Sequence, residues 1–188
     1  MKTFEEVYRI VQETSSGEEA FNKEECRALY EILQNLPPHA FIVEIGVQFG
    51  RSMAVLGEVA KDLNFQVKGV DNWQEGVSPE ARENVSNLII KHKWPVDILN
   101  MDSVEAARIT SQDVDFLHID GGHEDFEVMA DMEAWLPKLK QGGYVCFDDY
   151  GHDSLPGVFK AVTEYMSEHG GYWYLGRFGG KLGVFKKI

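Results

Sequence analysis

Apolar residues along this chain repeat in two rhythms, and the alternation between them predicts the elements of the fold. Residues 3–12 carry Phe4, Val7, Tyr8 and Val11 at helical spacing. Asn22 followed by Glu25 has the form of a helix start ahead of Leu29, Ile32 and Leu33. That second helix stops near Leu36, because Pro37 and Pro38 cannot continue it. From there, short apolar runs that read as strands alternate with helical stretches. The runs cover residues 40–45, 66–70, 96–99, 114–119 and 144–147. The first intervening helix carries Met53, Val55, Leu56 and Val59, and the second starts at Ser78-Pro79 and carries Val85, Leu88 and Ile89. A short helix over 104–109 and a long one from about 124 to 139, closed by Gly142-Gly143, complete the series. Past Pro156-Gly157, Val158, Val162, Tyr165 and Met166 share one helical face. Residues 172–178 and 182–185 then form two strands about Gly179-Gly180, a hairpin signal.

Five strand–helix units followed by a hairpin imply an α/β fold, a mostly parallel, doubly wound sheet of seven strands with helices on both faces. One domain over 1–188 is expected, with residues 1–38 as a helical cover and 39–188 as the core, since no repeat, linker or low-complexity tract divides the chain. Trp94, Trp135 and Trp173 read as packing residues.

Composition narrows the partners. The 188 residues are 44% hydrophobic and 26% charged, an ordinary globular mix. Acids outnumber bases 31 to 18, for a formal charge of −13. This argues against nucleic acid or an anionic membrane surface and for a small-molecule ligand. Cys26 and Cys146 lie far apart and suggest neither a disulfide scaffold nor a zinc site. No stretch has the length of a membrane span and the amino-terminal stretch lacks the apolar core of a leader, so a cytoplasmic protein is expected.

In a doubly wound sheet, ligands sit outside the carboxyl ends of the strands at the point where strand order reverses. Those ends are acidic at every step: Glu44, Asp71, Asp102, Asp120, Asp148 and Asp149. The turn after the first strand, Gly46-Val47-Gln48-Phe49-Gly50, allows close backbone approach to a ligand. Asp71 follows at the interval at which an acid ending the second strand grips the hydroxyls of a ribose. A nicotinamide dinucleotide fits poorly, because Gln48 stands at the middle glycine and Glu44 would face a pyrophosphate. An acidic pocket suits the ammonium and sulfonium of S-adenosylmethionine instead.

At these residues the chain resembles the class I S-adenosylmethionine-dependent methyltransferases, over roughly 40–188, and their Rossmann-like fold is expected. The run Leu117-His118-Ile119-Asp120-Gly121-Gly122-His123 carries a narrower likeness, together with Asp131, Trp135-Leu136-Pro137, Gly142-Gly143, Phe147-Asp148-Asp149-Tyr150 and Pro156-Gly157-Val158. It is similar to the small-molecule subgroup that includes metal-dependent macrolide-sugar O-methyltransferases and relatives of cephalosporin-biosynthesis proteins. The resemblance implies that Glu44 and the turn Gly46, Gln48 and Gly50 face the methionine part of the cofactor, with Ser52 near its carboxylate. Asp71 would hold the ribose, Asn72 and Trp73 would line the ribose and adenine, and Asp102 with Ser103 would lie by the adenine. Gln48 departs from the glycine usual in the class.

Asp120, Asp148 and Asp149 end neighbouring strands, so their carboxylates can converge. With no lysine or arginine expected nearby, a hard divalent cation such as Mg²⁺ would relieve their repulsion. The resemblance implies the same three ligands, with Asp120 also touching the cofactor and taking part in catalysis. Bound to an acceptor hydroxyl, such a cation lowers its pKa and orients it. His123, at the start of the long helix, is the candidate base, and the helix's positive end should keep it neutral. His152 and Asp153 could line the acceptor side. The expected activity is magnesium-assisted O-methylation of a small hydroxylated molecule, a sugar or natural-product intermediate. The acceptor would lie under the N-terminal helices and the loops 73–80 and 150–157, a small cover that leaves room for a second subunit in a homo-oligomer. The rival readings are a metal-independent methyltransferase, a nicotinamide oxidoreductase and a non-catalytic nucleoside-binding protein.

Overall fold

A computed structural model describes residues 1–14, 17, 20–74 and 79–188. Helices α1 (Phe4–Val11) and α2 (Lys23–Leu33) each begin at a capping box, Thr3 with Glu6 and Asn22 with Glu25. There follow β1 (Phe41–Ile45), α3 (Arg51–Leu63), β2 (Gln66–Val70), α4 (Pro79–His92), β3 (Val96–Leu99) and α5 (Ser103–Ile109). The second half comprises β4 (Val114–Ile119), α6 (Asp125–Trp135), β5 (Leu139–Phe147), α7 (Pro156–His169), β6 (Tyr172–Phe178) and β7 (Leu182–Lys187). Ser78, the expected start of α4, lies outside the described residues.

The sheet has the order β3-β2-β1-β4-β5-β7-β6, with β1 to β5 parallel and β7 antiparallel to both its neighbours. Strand order reverses between β1 and β4, so the crevice lies above their carboxyl ends. Period-two alternation divides the core. Ile42, Phe116, Cys146 and Val184 face α1 to α4, packing with Leu29, Leu33, Met53 and Leu56. Val43, Leu117, Val145 and Phe147 face α5 to α7, packing with Met132, Trp135 and Val162.

Two expectations fail. The helix that begins at Asp125 ends at Trp135, and a 3₁₀ turn over Leu136–Lys138 leads directly into a nine-residue β5. Pro137 supplies no amide hydrogen to continue the α-helix. Gly142-Gly143 therefore closes no helix but lies inside β5, where the register to β4 jumps between Val114 and Phe116 and Gly142 takes φ +79°. Trp94 and Trp135 are buried, but Trp173 is 61% exposed because β6 is the outer strand of the sheet. Among the described residues no helix is long and apolar enough to cross a membrane.

Candidate functional site

A cavity of about 880 Å³ opens above the carboxyl ends of β1, β2, β4 and β5, within the size range of small-molecule and cofactor sites. Gly46, Gln48 and Ser52 line one side, Asp71 and Asn72 the next, then Asp102 and Ser103. Asp120, His123, Asp148, Asp149 and His152 line the far end, roofed by Ala20 and Phe21 from the segment before α2. Asp153, Glu44, Gly50 and Trp73 are not among the lining residues, and residues 75–78 of the expected cover lie outside the described residues.

The turn after β1 is held from below by Asp71. Its Oδ2 accepts from the amides of Val47 (2.9 Å) and Gln48 (2.8 Å), and its Oδ1 accepts from the Trp73 amide at 2.7 Å. The Trp73 indole N–H donates to the Gln48 carbonyl at 3.2 Å, bracing the turn from behind. Gln48 adopts φ +45°, so the chain keeps the left-handed backbone that glycine favours while carrying a side chain. Gly46, at φ +81°, lies so close to β4 that an added Cβ would stand 1.8 Å from the Asp120 carbonyl oxygen. Gly50, the α3 N-cap at φ +80°, offers no side-chain acceptor, so the first-turn amides have no side-chain cap and favour an anion there.

On the α5 side, Asp102 caps the helix through Oδ1, accepting from the amides of Val104 and Glu105. The Ser103 hydroxyl donates to buried Asp131, while the Trp135 indole donates to the Ser103 carbonyl at 3.0 Å. Burial pushes the Asp131 carboxyl up to about 6, against the bond from Ser103.

The acidic end differs from expectation in three respects. Glu44 does not face the cavity. It shares the face of Ile42 and Phe116, is fully buried, and its Oε1 lies 3.0 Å from Nδ1 of His118 on the adjoining strand, beneath the Phe21 ring. Second, the carboxylates are not without a cation. The Lys181 ammonium, from the start of β7, donates to Asp148 Oδ2 and Asp149 Oδ1, both at 3.1 Å, and to the Ala20 carbonyl at 2.6 Å. Third, His123 is not biased toward the neutral form. It precedes α6, whose N-cap is Glu124, and its Nε2 lies 3.2 Å from Asp149 Oδ2. That hydrogen bond raises the imidazole pKa above 6.5, against partial burial.

Asp149 stands in a left-handed turn at φ +52°, and its two oxygens meet different partners, Oδ1 the Lys181 ammonium and Oδ2 the His123 imidazole. Burial pushes its carboxyl up, but the hydrogen bonds and charges of His123 and Lys181 outweigh it and hold the group below the ordinary value. Asp120 and Asp148 are shifted up, each chiefly by burial, and for Asp120 next by the charge of Asp148. Ligand atoms of Asp120, His123 and Asp149 lie within 4.8 Å of one another, the grouping of this kind among the described residues. Asp148 stands beside it, its buried Oδ1 without a hydrogen-bond partner. The acids are gathered as the strand ends imply, but with a histidine and a lysine among them.

Lys181 and Phe21 escape a reading of strand ends. The signal for Lys181 was topological: the last strand runs antiparallel beside β5, with Phe147 opposite Gly183, so residues opening β7 stand next to Asp148. Glu25 belongs to the same neighbourhood. It is fully buried, its Oε2 accepts from the Asn22 amide at 2.7 Å, and its Oε1 has no hydrogen-bond partner. Burial pushes its carboxyl up to about 7. A carboxyl whose pKa is raised on folding binds its proton more tightly in the native state, so stability is full near pH 4 and declines as pH rises toward 7. Glu25→Gln, which can still accept from Asn22, is therefore expected to match the parent near pH 4 and exceed it at pH 8 by roughly 2 to 3 kcal/mol. Denaturant melts at both pH values check this, and equal stability at pH 8 refutes it.

A methyltransferase-domain family matches residues 43–150. The chain belongs to this family. Its fold is that of several solved methyltransferases. The calicheamicin-biosynthesis enzyme CalS11, a TDP-rhamnose 3′-O-methyltransferase, superposes with a TM-score of 0.70 at 16% identity, over 97% of this chain and 92% of the other. The O-methyltransferase NovP gives 0.72 at 18%, over 89% and 81%. Cofactor-bound Rv0187 from MTB gives 0.73 at 13%, over 97% and 88%. In sequence, the methyltransferase is 32% identical over 116 residues to the uncharacterized protein y4gI of Sinorhizobium fredii (strain NBRC 101917 / NGR234). That match takes in 57% of this chain and only 13% of the longer protein. The family match, the sheet order and the cavity at its switch point agree on a methyltransferase domain.

Proposed function

We propose that the methyltransferase alkylates an oxygen of a small hydroxylated molecule, a sugar or natural-product intermediate, at a site assisted by a divalent cation such as Mg²⁺. The observation that carries this reading is the convergence of Asp120, Asp149 and His123 at the end of the cavity opposite Asp102 and Ser103. A cofactor filling the cavity from Ser103 toward Asp120 would leave that cluster on the acceptor's side. The O-methyltransferase names of CalS11 and NovP support the same substrate class.

S-adenosylmethionine would supply a methyl group already activated on a sulfonium. The α3 amides would receive its carboxylate, Asp71 its ribose hydroxyls, and Asp102 with Ser103 the adenine edge. Asp71 has lone pairs to spare for this while it holds the turn, since a carboxylate accepts about four hydrogen bonds and three are used. Asp120, Asp148 and Asp149 would hold the cation, and the unpartnered, buried Oδ1 of Asp148 fits that role. A cation there would lower the acceptor's pKa and fix its orientation. His123, 44% exposed and facing the cavity, would take the hydroxyl proton at Nε2. Lys181 favours a second reading, in which its ammonium, with the His123 imidazole, offsets the acids and no ion is needed.

Two measurements test this. Calorimetric titration with S-adenosylhomocysteine should give binding that Asp71→Ala weakens at least tenfold, from the loss of charge-assisted bonds of about 1.5 to 3 kcal/mol each. Product release from S-adenosylmethionine, assayed over catechols, vicinal diols and sugars, should appear with Mg²⁺ and vanish with a chelator. Turnover unchanged by chelation would favour the second reading, and no nucleoside binding would refute both.

A further inference from the structure

The Lys181 ammonium has three N–H donors and three acceptors: Asp148 Oδ2, Asp149 Oδ1 and the Ala20 carbonyl. Its side chain is only 13% exposed, so this is no solvated surface pair. Two of the acceptors are the carboxylates assigned to the cation, and the third belongs to the segment that roofs the cavity. We propose that Lys181 is an internal counter-ion that competes with the divalent cation for Asp148 and Asp149, and so ties the hold on the segment at Ala20 to cation loading. The inference rests on reading those carboxylates as the cation's ligands.

The geometry leaves the ammonium somewhere to go. Glu25, on α2, is buried with a vacant Oε1, and its charge acts on Lys181 together with those of Asp148 and Asp149. A lysine displaced from the aspartates can keep an anionic partner within the same buried region. Arg51 holds the neighbouring Phe21 carbonyl through its Nε, while the bond from Lys181 joins the Ala20 carbonyl to the aspartates. Asp148 and Asp149 then face a cation in both states, Lys181 when the site is empty and the divalent ion when it is loaded. The parent protein should for that reason bind the metal more weakly than its bare count of carboxylates implies.

Calorimetric titration of the full chain with Mn²⁺ alone tests this in the parent and in Lys181→Gln, Lys181→Met and Lys181→Arg. A divalent ion about 5 Å from an ammonium is repelled, even at the dielectric of water, by an amount worth roughly tenfold in affinity. Gln and Met should thus bind Mn²⁺ at least tenfold more tightly than the parent, and Arg, which keeps the charge, should bind as the parent does. Lys181→Gln retains an N–H donor for Ala20 and carries the test if Lys181→Met does not fold. Hydrogen exchange supplies the second readout: in the parent, amides around residues 20–22 should exchange faster once Mn²⁺ is added. Equal or weaker Mn²⁺ binding by folded Gln and Met variants overturns the inference, as does exchange around Ala20 that ignores the metal. Titration with S-adenosylhomocysteine in parallel separates this from the wider reading. Nucleoside binding without the predicted metal response sinks only the lysine's role, and the reverse result sinks only the cofactor assignment.

Discussion

Gly46→Ala is expected to abolish S-adenosylhomocysteine binding and to remove a large part of the stability of the fold. Two separate costs meet at this residue. Its φ of +81° is a backbone conformation that costs a residue with a Cβ roughly 1 to 2 kcal/mol. The new Cβ would also stand 1.8 Å from the Asp120 carbonyl oxygen, a position no rotamer can relieve because both partners are backbone. Nor can the strands part easily. The Asp120 amide donates to the Ile45 carbonyl at 2.8 Å and the Gly46 amide donates to the Val70 carbonyl at 2.9 Å, so the residue is tied to both neighbouring strands. Relief requires opening the switch point itself, where the turn after β1 approaches the cavity. A loss of about 3 to 5 kcal/mol is expected, at the upper end for a single substitution. Gly142→Ala is the control. It shares the conformation, φ +79°, but an added Cβ there meets nothing within 4 Å, so only the strain of roughly 1 to 2 kcal/mol applies. Thermal melts and nucleoside titrations of the two variants separate contact from conformation. If Gly46→Ala melts with Gly142→Ala and binds like the parent, the close approach of β1 and β4 is not what shapes the site.

That contact also marks the boundary of what a linear reading can reach. Strand positions were legible because each buried parallel strand is a short apolar run, and the acids that follow them are enough to locate the cavity. The direction of each carboxylate was not. Glu44 has the same parity as Ile42, so alternation carries it into the α1–α4 side of the core, where it pairs with His118 instead of facing a ligand. Gly142-Gly143 was ambiguous for a different reason. A glycine pair after a helical stretch serves equally as a helix stop or as a bulge, and only the pairing of β5 with β4 decides between them. Trp173 reads as a packing residue because hydrophobicity does not distinguish a central strand from an outer one, and β6 is the outer strand. Lys181 was hidden because its neighbours are more than 30 residues away in sequence and are brought to it by the antiparallel return of β7. What a linear sequence under-reports in this fold is charge compensation, since it depends on which strands become neighbours.

His123→Ala is expected to lower turnover by about 100-fold or more while sparing the affinity for S-adenosylhomocysteine. The argument is geometric first: Nε2 faces the cavity beside Asp149, at the acceptor's end. The pH dependence follows from the same bond. Asp149 stabilises the imidazolium, so the native pKa lies above 6.5 and the neutral form able to take a proton appears at higher pH than it would for a free histidine. Turnover should therefore be lowest in acid, rise as pH passes through that raised value and level off above it. The alanine variant should lose this limb and retain only a shallow dependence. Because a ring nitrogen of His123 lies within 4.8 Å of carboxylate oxygens of Asp120 and Asp149, a metal titration must accompany the rate measurement. Reduced turnover with unchanged Mn²⁺ affinity makes His123 a base. Loss of both together makes it a ligand, and the proton must then leave by another route. Full turnover in the variant excludes either role and leaves the bond to Asp149 as its only function, to hold that carboxylate in place beside Lys181.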